Sequence, residues 1–207
     1  MTTTVFVIIL SYLIGSIPFG VIIAKRKGID LKRVGSGNIG ATNVLRNVGK
    51  LSALVVLLGD ALKGAVPVLV CQYYHLGIYN EVLAGIAAMT GHIFTLFLRF
   101  KGGKGVATGL GAVIALSPKA GIISLVLWLL VALASRYSSL AALVTYLFLP
   151  FVMFIIKEQQ EKILFSVIVA VMIIIRHRDN IKKLLSGSES KIGKRARVYN
   201  TSHDKIH

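Results

Sequence analysis

The sequence predicts an all-α integral membrane protein with seven transmembrane helices, its N-terminus outside and its C-terminus in the cytoplasm. Three observations lead there. Hydrophobic residues make up 55% of 207 positions and mean hydropathy is +0.76, beyond what a soluble globular domain tolerates. The apolar residues fall into runs of roughly membrane-spanning length. The basic residues are confined to the gaps between those runs, so a formal charge of +16 reads as topology determinants and anion ligands rather than as a nucleic-acid surface.

The first run, Val5–Ala24, holds 20 residues without a formal charge, about 30 Å of helix at ~1.5 Å per residue. The preceding Met-Thr-Thr-Thr lacks the basic region of a secretory signal, so this run is expected to stay as a helix. The later runs are Leu51–Tyr74, Val82–Leu98, Gly105–Pro118, Ala120–Ser135, Leu140–Ile156 and Ile163–Ile175. Several are short, and Gly105–Pro118 has the length of a re-entrant segment as much as of a span. Charge decides. With all seven crossing, every Lys and Arg but Lys119, Lys157 and Lys162 lies on the inner side, as the positive-inside rule requires. A re-entrant fourth run would invert everything after it and turn the basic C-terminal end outward. The chain therefore reads as one membrane domain, 1–193, followed by a basic, mobile cytoplasmic tail, 194–207. Cys71 is the only cysteine, which excludes an intrachain disulfide and a cysteine metal cluster. No cofactor or metal is expected.

This topology gathers three polar clusters on one face. The first runs from Val34 to Asn43 and is followed by Arg46. Its Ser36, Gly37, Asn38, Thr42 and Asn43 can donate to phosphate oxygens, and Arg46 offers a bidentate fork; the plainer reading is a turn-rich linker capping a short helix. The second is Arg99-Phe-Lys-Gly-Gly-Lys-Gly-Val-Ala-Thr-Gly109. Gly102, Gly103 and Gly105 permit close approach of a ligand to bare backbone N–H groups, Lys101 and Lys104 add charge, and the next helix points its positive dipole end at the same anion. The alternative is a flexible turn with topogenic lysines. It is not a Walker A loop, because Gly105 follows Lys104 where Ser or Thr is needed. The third cluster, Arg176-His-Arg-Asp-Asn180, closes the last span. His177 and Asn180 share a face if the helix continues, and His177 can act as general base or phosphate ligand; an interfacial basic anchor is the competing view.

Other polar residues call for no chemistry. Asp60 and Lys63, i and i+3 near the inner end of the second span, read as a structural ion pair. His92 lacks an acidic residue four places on, where Leu96 stands, so the His-x4-Asp pair used by one widespread group of glycerolipid acyltransferases is absent. Gly15-Ser-Ile-Pro-Phe-Gly20 reads as a kink with close helix packing. Glu189 reads as a solvated tail charge, and Cys71 as packing.

Together these stretches resemble the bacterial acyl-phosphate:glycerol-3-phosphate acyltransferase family, the PlsY type. The matching residues are Gly15–Gly20, Gly35–Val44 with Arg46, Gly91-His92, Phe100–Thr108 and Arg176–Ile181, extended by Leu184–Gly187 with Glu189. The resemblance implies a multi-pass enzyme of the bacterial inner membrane with its site on the cytoplasmic face. It implies transfer of a fatty acyl group from acyl phosphate to the sn-1 hydroxyl of glycerol 3-phosphate, giving lysophosphatidic acid and inorganic phosphate, an early step of phospholipid biosynthesis. By motif it assigns glycerol 3-phosphate binding to Lys101, Gly102, Gly103, Lys104 and Gly105, and activity to Ser36, Arg46, His177 and Asn180. The partners are the two substrates and membrane lipid, without nucleic acid, and the chain is expected to act as a monomer.

An acyl phosphate is already activated, so the site need only hold two phosphorylated partners and stabilise an oxyanion. Direct attack by the sn-1 hydroxyl fits, the proton going to His177 or to the donor's phosphate. A Ser36 nucleophile is disfavoured because no base lies beside it in sequence. The donor tail is expected to enter between helices where Gly109, Gly111 and Ala112 leave room. A small organic-phosphate transporter is the main rival, but it predicts paired broken helices and polar residues at the bilayer midplane. A CDP-alcohol phosphotransferase would need a carboxylate-rich metal motif, and the eight Asp and Glu are scattered.

Overall fold

A computed structural model describes residues 1–193; the expected tail, 194–207, lies outside the described residues. All regular structure in them is helical. The first span is α1 (Thr2–Ser16) and α2 (Phe19–Lys25), broken at Ile17-Pro18, where proline has no N–H to continue the ladder. A short α3 (Ala41–Asn47) follows, then α4 (Lys50–Tyr73) and α5 (Ile78–Ile93) with a 3-10 turn, Leu96–Leu98. The remainder is α6 (Val106–Leu116), α7 (Pro118–Ser135), α8 (Ser138–Ile155), α9 (Gln160–Arg176) and α10 (Arg178–Leu185). Among the described residues, five segments are long and apolar enough to cross a membrane: Thr2–Lys25, Lys50–Tyr73, Ile78–Leu98, Pro118–Ser135 and Ser138–Ile155. Helices stand at the other two expected positions, but α6 has 11 residues and α9 has 17, about 16 and 25 Å.

Lipid tails are as apolar as leucine, so close packing rather than hydrophobic burial must hold such helices together. The sequence supplies it with glycine. A Cβ on Gly64 of α4 would strike the Thr108 carbonyl of α6, and one on Gly111 would strike the Ala61 carbonyl. The backbones of α4 and α6 therefore touch. Gly15 likewise lies against Ala88 of α5, and Gly91 against Tyr12, so the kink motif serves packing as expected. Met89, Val113, Tyr146, Phe165 and Ile173 form the main core among α5, α6, α8 and α9.

Polar contacts sort the helix ends into two sets. At one end, Gln72 near the close of α4 donates to Glu81 of α5 and to the Ala115 carbonyl of α6. There too Ser117, the N-cap of α7, donates to Glu158 after α8 at 2.5 Å, and Lys162 of α9 pairs with Glu158 at 2.9 Å. At the other end lie the starts of α6 and α8 and the ends of α7 and α9, joined by the bonds described below. Because α6 begins level with Asp60–Gly64, about 15 Å along α4 from Lys50 at ~1.5 Å per residue, the glycine-lysine loop before it is sunk into the bundle rather than laid across its end.

Candidate active site

The loop Arg99–Gly105 turns through Arg99 and Phe100, both at positive φ (52° and 61°), a strained conformation for non-glycine residues. The Phe100 N–H holds that turn by donating to the Thr95 carbonyl at 2.9 Å. The next two amides are not bare. Gly102 and Gly103 donate to the carbonyls of Ile93 and His92, both at 3.0 Å, closing the C-terminus of α5. In this structure these N–H groups anchor the loop. Gly105, at φ 85°, is the N-cap of α6, so the free anion-seeking element is the first turn of α6 together with Lys104. Lys101 is exposed and its backbone closes onto Leu98.

Lys104 is largely buried. Its ammonium donates to Asn180 Oδ1, and burial lowers its pKa to about 8, with Arg176 and Lys183 pushing the same way and Glu189 opposing. The Asn180 amide in turn donates to Glu189 Oε1 at 2.8 Å, and Ser139, at the start of α8, donates to the same oxygen at 2.8 Å. Glu189 is thus no solvated tail charge. The segment carrying it is strapped across the site: Arg46 Nη2 donates to the carbonyls of Ser190 (2.8 Å) and Lys191 (3.2 Å), and the Ile192 N–H to Arg136 at 2.7 Å. Half of the Arg46 fork is therefore spent on the strap.

His177 is buried at the junction of α9 and α10, where the helix breaks instead of continuing (φ −100°, ψ 7°). Its Nδ1 lies 2.8 Å from the Ile173 carbonyl; a carbonyl only accepts, so Nδ1 carries the hydrogen and Nε2 is the basic nitrogen. Burial, then the charge of Lys104, lowers its pKa to about 4, so the ring is neutral at working pH. Arg176 donates to the Gly103 carbonyl at 3.3 Å and lies over the Phe94 ring, 6.0 Å from its centroid.

The first cluster is built differently. Asn43 is buried and donates to the carbonyls of Leu31, Val34 and Asn38, while its Oδ1 accepts from Ser36 N–H and Asn47. Its amide is saturated by these bonds, which hold the loop. Gly37, at φ 68°, forms the turn, and Thr42 meets Ser138 of α8 at 3.1 Å. Ser36 is exposed and its hydroxyl accepts only from the Asn38 N–H, at 3.4 Å. The hydrogen bonds linking Arg46, Lys104 and Asn180 through Glu189 do not reach Ser36.

The family model described as glycerol-3-phosphate acyltransferase matches residues 5–187. The chain belongs to the glycerol-3-phosphate acyltransferase family. Relatives named glycerol-3-phosphate acyltransferase include one from Geotalea daltonii, 43% identical over 92% of this chain and 98% of that protein. One from Methylobacillus flagellatus is 46% identical over 95% and 100%. Among solved structures, the glycerol 3-phosphate form of PlsY (YgiH), an integral membrane glycerol 3-phosphate acyltransferase, superposes with a TM-score of 0.88 at 41% identity, over 92% of this chain and 96% of that one. Its lysophosphatidic acid form gives 0.86 at 40%, over 91% and 95%. Membership agrees with the apolar helices: this is an integral membrane protein.

Within this family fold, sequence reasoning missed Ser139 and the hub role of Glu189. The signal available was Glu189 itself, a carboxylate placed among basic residues just after the last motif. The expected tail passage is also corrected. Gly111 is filled by Ala61 and Gly109 by the Tyr146 hydroxyl, and Ala112 is fully buried, so those small residues close α6 onto its neighbours. An open groove of about 330 Å³ lies instead between α1 and α5, lined by Ile8, Tyr12, Leu83, Ala87 and Thr90 among others.

Proposed function

We propose that the chain transfers a fatty acyl group from acyl phosphate to the sn-1 hydroxyl of glycerol 3-phosphate, giving lysophosphatidic acid and inorganic phosphate. The observation that carries this reading is Lys104: a sunken ammonium at the start of α6, bonded to Asn180 and near enough to His177 for its charge to lower the imidazole pKa. That arrangement suits a phosphate on Lys104 and the α6 N-terminus with the glycerol end turned toward Asn180 and His177. The sn-1 oxygen attacks the acyl carbon, the carbon–oxygen bond to phosphate breaks, and the electron pair leaves on phosphate.

The departing proton has two acceptors to choose between. His177, at about 4, is a weaker base than a phosphate, whose second ionisation lies near ~6, by roughly a hundredfold. We therefore assign the proton to the donor's own phosphate, with His177 Nε2 orienting the hydroxyl. Arg46 and Asn180 steady the strap and Lys104, and Ser36 has no neighbouring base to make it a nucleophile. The acyl tail is assigned to the groove between α1 and α5. Tyr12 on its wall donates to the Phe94 carbonyl at 2.6 Å, and Arg176 links the Phe94 ring to Gly103, so the groove ends close to the Lys104 loop.

We read the bundle as seven crossings in a bacterial inner membrane, N-terminus outside and site cytoplasmic, with the chain acting as a monomer. The alternation of helix ends and the basic residues at the site's end support this. A transporter would use a broken span to bind ions, but here the carbonyls at the break already accept from Lys63 and Thr95. The deciding assay offers purified protein labelled glycerol 3-phosphate with acyl phosphate, acyl-CoA or acyl carrier protein thioester. Product from acyl phosphate alone is expected; no product from any donor would return the transporter to first place.

A further inference from the structure

Three titratable side chains lie buried beneath the Lys104 loop and take no part in the chemistry above. Asp60 and Lys63, each 3% exposed, sit on one face of α4, and His92, 4% exposed, lies in the last turn of α5. Lys63 Nζ is 2.8 Å from Asp60 Oδ1 and donates to the Ile17 carbonyl, also at 2.8 Å. Ile17 is the residue before Pro18, where the helical ladder of the first span is interrupted. The same break is held from α5's side, because Thr95 donates to the Ser16 carbonyl at 2.5 Å.

His92 stands between this pair and the loop. Its Nδ1 faces Asp60 Oδ1 at 3.6 Å, longer than an ordinary hydrogen bond, and has no other partner. Its Nε2 edge fills the space that a Cβ on Gly103 would need, and its carbonyl accepts the Gly103 N–H. Gly103 is bonded on its other side by Arg176, and the next residue is Lys104. A continuous series of packed groups thus runs from the Ile17 carbonyl through Lys63, Asp60 and His92 to Gly103.

We propose that Asp60, Lys63 and His92 form a buried positioning unit that sets the depth and aim of Lys104 toward glycerol 3-phosphate. The inference rests on reading the loop as the glycerol 3-phosphate site. Two ionised side chains in a membrane helix are costly wherever apolar ones would pack, and this pair sits at the level of the loop and not at an arbitrary depth. The Asp60 carboxylate gives the His92 ring a fixed wall, and the ring holds the Gly102-Gly103 backbone away from α4. The three residues touch no reacting atom in this scheme. They act through Lys104.

The test separates positioning from mere folding. Removing one charge strands the other in the bundle, so the informative change removes both: Asp60→Asn with Lys63→Met. Two histidine variants accompany it: His92→Gln, whose amide reaches the Nε2 position against Gly103, and His92→Ala, which leaves that space empty. In detergent or liposomes the double variant is expected to insert and melt like the parent, while its KM for glycerol 3-phosphate rises about tenfold or more, within the hundredfold that a 1 Å misplacement can cost. The KM for acyl phosphate stays unchanged. His92→Gln keeps the parent's KM for glycerol 3-phosphate and His92→Ala loses it. A folded double variant with the parent's KM, or histidine variants that behave alike, overturns the inference while leaving the acyltransferase reading intact. Should the double variant fail to insert, the histidine pair decides. Absence of product from the parent protein overturns the reading of the loop and the inference with it.

Discussion

Lys104 offers the sharpest test of the site, because its charge is lost within an accessible pH range. Its pKa is lowered from 10.5 to about 8, chiefly by burial, so about nine-tenths of the molecules carry the ammonium at pH 7 and about one-tenth at pH 9. If the ammonium binds the phosphate of glycerol 3-phosphate, KM for that substrate rises about tenfold between those values. It then levels off when binding through neutral lysine takes over. A hydrogen bond to a charged group contributes about 1.5–3 kcal/mol, which sets that ceiling at roughly 10- to 150-fold. The substrate's own ionisation, near ~6, lies below this window. Steady-state kinetics in proteoliposomes from pH 6.5 to 9.5 would measure the effect, with Lys104→Met expected to show the raised KM at every pH and no inflexion near 8. A KM that stays flat in the parent, or an inflexion that survives in Lys104→Met, would refute the assignment.

The same shift has a consequence for stability, and its sign can be worked out. A lysine whose folded pKa is depressed leaves the fold unburdened above 10.5 and penalises it as pH falls from there to about 8. The full penalty is about 3 kcal/mol for a shift of this size. The unliganded protein should therefore gain thermal stability from pH 7 to pH 10 relative to Lys104→Met. Glycerol 3-phosphate, by supplying a counter-anion, should stabilise most at the acid end of that range.

Three further expectations follow from the site and its packing. His177, held neutral with its pKa lowered to about 4, should contribute no acid limb to kcat between pH 5.5 and 7.5, and His177→Gln should lower kcat about tenfold, the cost of one oriented hydrogen bond, rather than the 10²–10⁴ of a lost general base; pH-rate profiles of both proteins decide it. Glu189→Gln and Arg46→Ala both loosen the strap over Lys104 and Asn180, so their effects on kcat/KM should be strongly non-additive, with a coupling of about 1–3 kcal/mol in a double-mutant cycle. Gly64→Ala, which drives a methyl into the Thr108 carbonyl of α6, should lower thermal stability by about 1–3 kcal/mol, read from the melting curve in detergent.

Which parts of this molecule could be read from its residues depended on whether the partner of each group was local. The five long apolar segments were legible because hydropathy is a property of the run itself, whereas the helix start at Ser117, whose Oγ accepts from the Ala120 N–H at 3.3 Å, falls inside the fourth expected run. Pro18, Pro67 and Pro150 look alike in sequence, yet only the first interrupts its span, since neighbouring helices can satisfy a freed carbonyl. The break at His177 carries no glycine or proline to announce it. Asp60 and Lys63 were recognisable as a pair at i, i+3, whereas their relation to His92 depends on how α4 packs against α5.

The site details that sequence left hidden share one cause. Glycines in a basic loop promise free amides, but Gly102 and Gly103 spend theirs on the end of α5, and Asn43 spends its amide on its own loop. Conversely, Glu189 looked solvated because nothing near it in sequence needs it; its partners Asn180 and Ser139, and Arg46, which holds the segment carrying it, come from three other elements. The electrostatics explain why a single carboxylate must sit there. Lys104, Arg176, Lys183 and Arg46 converge on a recess with few acidic groups, and without Glu189 their mutual repulsion would further depress the Lys104 ammonium, which is already close to losing its proton. Glu189, with a smaller contribution from Asp179, opposes that loss, yet the direct hydrogen bonds of Glu189 are to Asn180 and Ser139 rather than to the ammonium. Lys104 is left with unspent charge, which is the condition an incoming phosphate requires.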